Sequence, residues 1–155
     1  MGNFIIRPIG NGYQHFSNMN REELLQLGVQ LKTVTEKPGF PCRISLEDAE
    51  IGEEVLLMSY VHHATSASYL SSGPVYIRRN AKPAQLAAGE IPGFLLVRYL
   101  SLRCYNREGE MVDATLCAGT ELKQKLGFLF LKPEIIKIDI HNAKPGCFNC
   151  VAEKI

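Results

Sequence analysis

Apolar Phe4 to Ile9 reads as a first strand. Asn20, followed three residues later by Glu23, has the form of a capping box. Leu24, Leu25 and Leu27 continue into a short helix that Gly28 can close in the left-handed conformation. A helix of roughly two turns must lean on tertiary packing. Val29 to Thr35 alternates apolar and polar positions, as a half-buried strand does. Lys37-Pro38-Gly39-Phe40-Pro41 is a turn, because two prolines around a glycine forbid regular structure. Glu54 to Val61 predicts a buried strand, His62 to Gly73 a hydroxyl-rich loop, and Val75 to Arg78 a short strand. Asn80 to Gly93, with two prolines and two glycines, predicts a surface loop with a helical turn at Ala84 to Ala88.

The second half predicts a hairpin: a long apolar strand from Phe94 to Tyr105, turn residues Asn106 to Gly109, and a return over Met111 to Cys117. Thr120 is placed to cap a helix whose Leu122, Leu126, Leu129 and Phe130 share one face, and Pro133 ends it. Strands at Ile135 to His141 and Phe148 to Lys154 complete the chain. Short links between strands argue for a mostly antiparallel sheet with two or three helices packed against it. The expected fold is therefore α+β, one domain over residues 1–155.

Composition narrows the function classes. Seventeen Lys and Arg against sixteen Asp and Glu give a net charge of +1, so the general basic field of a nucleic-acid binder is missing. No apolar stretch reaches the ~18 residues of a membrane span, and the N-terminal residues do not read as a signal peptide. Five cysteines leave at least one thiol free or paired between molecules, and a reducing cytoplasm is the expected location.

The candidate chemistry lies in four places. Arg98, flanked by Leu96 and Leu100 on the long strand, needs a partner. A hairpin loop of even length puts Asp113 on its face, paired with it or turned with it toward a pocket. His62 and His63 end a buried strand, where an imidazole suits acid–base work, and adjacent strand residues point to opposite sides. The hydroxyl-rich loop leads to Tyr69 and Arg78. The run His141-Asn142-Ala143-Lys144-Pro145-Gly146-Cys147-Phe148-Asn149-Cys150 follows a strand whose polar face carries Lys137, Asp139 and His141. Cys147 and Cys150 have knuckle spacing, but a structural zinc wants four ligands and a second pair is missing. Two core or partly buried thiols are the first reading, a metal site with His141 the second and a redox pair the third.

An ordered set of segments then resembles one bacterial family. They are Pro38-Gly39-Phe40-Pro41-Cys42-Arg43, Leu46-Glu47-Asp48-Ala49, Gly52-Glu53-Glu54-Val55-Leu56-Leu57, Tyr60-Val61-His62-His63, Ser68-Tyr69, Ser72-Gly73-Pro74-Val75-Tyr76-Ile77-Arg78, His141-Asn142-Ala143 and Gly146-Cys147-Phe148-x-Cys150. The family is the domain of unknown function DUF1203, and the likeness runs nearly end to end. Residues 66–69 read Ser-Ala-Ser-Tyr where the family pattern has Ala-Ser-Pro-Tyr, and residues 75–78 read Val-Tyr-Ile-Arg where it has Ile-Phe-Val-Arg. The resemblance implies a single-domain bacterial protein and no reaction.

The expectation is a pocket for a small anionic molecule. His62, His63, His141 and Cys147 are the candidate catalytic residues, and Arg43, Tyr69, Arg78, Arg98, Asp113 and Asn142 the binding ones. No metal ligand is assigned and no cofactor is indicated. The alternatives are a non-catalytic interaction module or homodimer, and a small metal-binding domain using His141, Cys147 and Cys150.

Overall fold

In chain order the elements are β1 (Phe4–Arg7), α1 (Arg21–Gln26), β2 (Gln30–Thr33), β3 (Pro41–Cys42), β4 (Glu47–Asp48), β5 (Glu54–His63), β6 (Ser71–Arg78), β7 (Tyr99–Tyr105), β8 (Met111–Ala118), α2 (Leu122–Leu129), β9 (Lys137–Asn142) and β10 (Phe148–Lys154). They come from a computed structural model that describes residues 2–10 and 12–155. One sheet runs β1-β10-β9-β7-β8, with every neighbour antiparallel. The other runs β2-β5-β6-β3-β4, antiparallel except where β3 meets β6 at Cys42 and Tyr76. The antiparallel expectation holds, but the helical share is smaller than an α+β layout implies. The fold is β-rich, with two short α-helices and three 3-10 turns among the described residues. No described helix is long and apolar enough to cross a membrane.

Local signals place several elements. Asn20 and Glu23 form both bonds of the capping box, and Gly28 takes φ 76° after α1. The helical turn expected at Ala84 to Ala88 does not form. The Ala84 amide donates instead to Ile44 and the Gly89 amide to Phe4, so tertiary bonds take the place of a helix ladder. Thr120 caps nothing: Gly119–Glu121 is a 3-10 turn that runs directly into α2.

The strand expected from Phe94 starts later than the apolar run suggests. Residues 93–95 form a 3-10 turn and β7 begins only at Tyr99. The backbone at Leu95 and Leu96 crosses so close to Gly119 that a Cβ there would overlap the Leu95 carbonyl oxygen. Arg98 therefore lies before the strand. The β7–β8 register pairs Leu100 with Cys117, Leu102 with Thr115 and Cys104 with Asp113, so the expected parity is correct. The expected pairing is not. Arg98 binds Asp48, and Asp113 binds Lys132 at 2.5 Å.

One core lies between the first sheet and α2 and contains Phe4, Leu100, Leu102, Leu122, Leu126, Ile138 and Ile140. A second joins the other sheet and α1 to Phe148, through Leu24, Leu56, Met58, Val75 and Ile77. Each buried Leu, Ile or Phe contributes roughly 1.5–3 kcal/mol. β9 is covered on both sides. Ile138 and Ile140 enter the first core, and Asp139 and His141 on its other face are also fully buried. That second face carries the chemistry.

Candidate functional site

Two neighbouring clefts share the β9–β10 loop as a wall. Gly146 at φ 80° lets the chain reverse there, and the Asn142 amide donates to the Cys147 carbonyl. The first cleft, of about 660 Å³, is lined by Arg43, Tyr76, Tyr99, Asn142, Lys144 and Cys147 among others, and by no carboxylate. Arg43 is 1% exposed. Its Nε donates to the Phe148 carbonyl at 2.7 Å and an Nη to the Pro41 carbonyl at 2.6 Å. Among the described residues no carboxylate pairs with it. Burial lowers its pKa below the usual guanidinium value, and the Cys147 sulfur, although not in hydrogen-bonding geometry with it, favours the charge. Behind Arg43 the chain turns sharply: the Leu46 amide donates to the Cys42 carbonyl and Leu46 takes φ 54°, a strained conformation for a leucine. Asn149 donates to the Asn142 side-chain oxygen at 2.9 Å, and the Asn142 amide then donates to Cys147 Sγ at 3.1 Å. This relay holds the sulfur toward the cleft.

The second cleft, of about 450 Å³, is lined by His62, Ser71, Ser72, Arg103, Gly146 and Cys147 among others. His62 forms part of its floor. The ring stacks on Phe148, with centroids 5.2 Å apart, and meets His141 edge-on at 4.7 Å. Its Nδ1 lies 3.3 Å from Asp139 Oδ2. His141 is a direct partner of Ser101 across β7 and β9, and Asp139 of Arg103. His141 Nδ1 donates to the Gly146 carbonyl at 2.9 Å, so Nε2 keeps its lone pair; it is buried and meets no partner. Burial holds this imidazole at a pKa of about 4, neutral at physiological pH. Lys137 Nζ stands 3.2 Å from Asp139 Oδ1 without the alignment of a hydrogen bond.

The family model for a protein of unknown function, DUF1203, matches residues 39–154. The chain belongs to the DUF1203 family. No curated protein and no solved structure matches it.

In this DUF1203 chain the expected residues separate into two groups. Arg43, Asn142 and Cys147 meet at the first cleft, and His62 and His141 meet at the second. The others go elsewhere. His63 points to the opposite side from His62. Its Nε2 donates to the Gly109 carbonyl at 2.9 Å, its Nδ1 accepts from Lys137 at 2.9 Å, and its ring stacks on Tyr105, so every polar atom is satisfied. Tyr69 is exposed and lies edge-on to Tyr105, away from both clefts. Arg78 is held by Glu53 and Glu47 beside a third cleft, of about 860 Å³, where its charge is already balanced. Arg98 reaches the first cleft, but Asp48 neutralises it. Asp113 reaches neither. Cys147 and Cys150 do not form a knuckle: the β10 bulge after Phe148 sends Cys150 into the first core. All five cysteines are free. Asp139, Lys137 and Asn149 are additions. The first two were visible as the polar stripe of β9, whereas nothing in the spacing pointed to Asn149.

Proposed function

We propose that the first cleft binds a small anion, a carboxylate- or phosphate-bearing molecule, against the Arg43 guanidinium, with the Cys147 sulfur presented to it. The observation that carries this reading is a fully buried arginine without a carboxylate partner, lining a cleft that also presents Lys144 and no acid. A buried charge that is not paired within the protein costs several kcal/mol. An anionic ligand supplies the missing partner and takes up the guanidinium's remaining donors. Among the described residues no histidine is hydrogen-bonded to Cys147 Sγ, whose bonded donor is the Asn142 side-chain amide. The arrangement is thus that of a binding pocket with a thiol in its wall, and it lacks the base that activates a cysteine nucleophile.

The test compares alkylation of Cys147 by iodoacetate and by iodoacetamide, read by mass spectrometry. Attraction of the anion to Arg43 should raise the iodoacetate-to-iodoacetamide rate ratio about tenfold over that of a free thiol peptide, equivalent to ~1.4 kcal/mol. Arg43→Met should bring the ratio back to the peptide's, and inorganic phosphate should protect the wild type. A ratio equal to the peptide's in wild type, or one unchanged by Arg43→Met, overturns the reading.

A further inference from the structure

A ring nitrogen of His62, a carboxylate oxygen of Asp139 and a ring nitrogen of His141 all lie within 4.8 Å of one another. We propose that these three side chains bind a first-row divalent cation of the zinc type, leaving at least one coordination position open toward the second cleft. Two imidazoles and one carboxylate form a donor set suited to such ions and too nitrogen-rich for calcium or magnesium.

The state of the donors supports the site. The Gly146 carbonyl engages His141 Nδ1–H, so the buried Nε2 offers a lone pair that no protein group uses. Asp139 is 0% exposed, and its Oδ1 also lacks a hydrogen bond. A buried acceptor left unmade costs ~1–3 kcal/mol, and more when charged. A cation at this point takes up the His141 lone pair and balances the buried Asp139 charge. Spacing agrees as well: donors 2.0–2.2 Å from a common tetrahedral ion lie roughly 3.3–3.6 Å apart, and His62 Nδ1 to Asp139 Oδ2 is 3.3 Å. The Gly146 carbonyl behind His141 and the Phe148 ring beneath His62 orient the imidazoles as outer groups do at metal centres.

The competing cations are Lys137 and Arg103. Lys137 is the alternative partner of Asp139, but its ammonium is also shared with His63 Nδ1, the His62 carbonyl and the Tyr105 ring, and its side chain is 25% exposed. Arg103 faces Asp139 across the β7–β9 ladder and lines the approach from solvent. The anion cleft is not required for any of this, so Arg43→Met should leave metal binding unchanged.

Chelator-stripped full-length protein is dialysed against Co²⁺, and the bound metal and its visible spectrum are measured, with Zn²⁺ as competitor. One Co²⁺ per chain is expected, with ligand-field bands, no thiolate-to-metal charge transfer, and displacement by Zn²⁺. His62→Ala, at the mouth of the site, should weaken binding ~100-fold or more, while Cys147→Ser should leave it unchanged. Asp139→Asn is the second variant, and circular dichroism checks that each variant is folded. Substoichiometric binding to wild type, undiminished binding in a folded His62→Ala protein, or a charge-transfer band lost in Cys147→Ser would each overturn the assignment.

Discussion

The two arginines that reach the first cleft should respond to the same substitution in opposite ways. Arg98 is an ion-pair arginine. Both Nη atoms engage Asp48, one also bonds the Phe94 carbonyl, and the guanidinium lies 5.3 Å from the Phe94 ring centroid. The two side chains are 12% and 7% exposed. Arg98→Met strands the Asp48 carboxylate, and an uncompensated buried charge costs about 3–5 kcal/mol. Arg43 has no acid to strand. Arg43→Met loses two bonds from a charged donor to the Phe148 and Pro41 carbonyls, roughly 1.5–3 kcal/mol each, and removes a desolvation penalty of several kcal/mol. These terms nearly cancel, so the expected change is within about 2 kcal/mol of zero. The assay is urea unfolding at pH 7.5 in anion-free buffer, followed by far-UV circular dichroism, with both variants and wild type fitted for midpoint and slope. Added phosphate should then raise the wild-type midpoint and leave that of Arg43→Met unmoved. An Arg43→Met protein destabilised as much as Arg98→Met would refute the reasoning, because Arg43 would then be a structural arginine with a partner already in place.

Other expectations follow from the same contacts. In native protein at pH 8 only Cys147 should react with an uncharged alkylating reagent. Burial pushes Cys104 up to about 12 and raises Cys117 and Cys150, whereas all five should react in guanidinium; mass spectrometry showing a second label before unfolding would contradict this. The Arg78 guanidinium beside Glu53 holds that carboxyl below the usual carboxylate range. Such a group contributes stability above its unfolded pKa of about 4.3 and loses it as pH falls through the lower folded value. Wild type should therefore lose more stability than Glu53→Gln between pH 5 and 3, and parallel unfolding curves would remove the pair's claimed contribution. Gly119→Ala forces a Cβ onto the Leu95 carbonyl and should cost about 3 kcal/mol, read as a lowered urea midpoint. A midpoint within error of wild type would mean that the Leu95–Leu96 crossing yields easily.

Much of the strand and turn pattern was legible because its causes are local. The capping box of α1, the bounds of β10 and the parity of the β7–β8 hairpin each depend on residues a few positions apart. Where long-range contact decides, local pattern misleads. A continuous apolar run beginning at Phe94 looks the same whether it extends as a strand or crosses beneath Gly119 as a 3-10 turn. Hairpin parity points Arg98 across to Asp113, but its partner stands fifty positions upstream at Asp48. The histidines show both sides of this division. Strand parity correctly requires His62 and His63 to face apart. The register shift in the β5–β6 ladder between Val61 and His63 falls at this point, and beyond it His63 meets Tyr105 and Gly109 while His62 meets Phe148 and Asp139. Similarly, the stripe Lys137, Asp139 and His141 was readable as the polar face of β9, and a polar face ordinarily meets water. Its burial comes from Phe148 and from His62, which lies 77 positions before Asp139. A carboxylate oxygen and an unprotonated imidazole nitrogen that water would satisfy on a surface thus become, once covered, a pair of acceptors without hydrogen bonds, the condition that favours a bound cation.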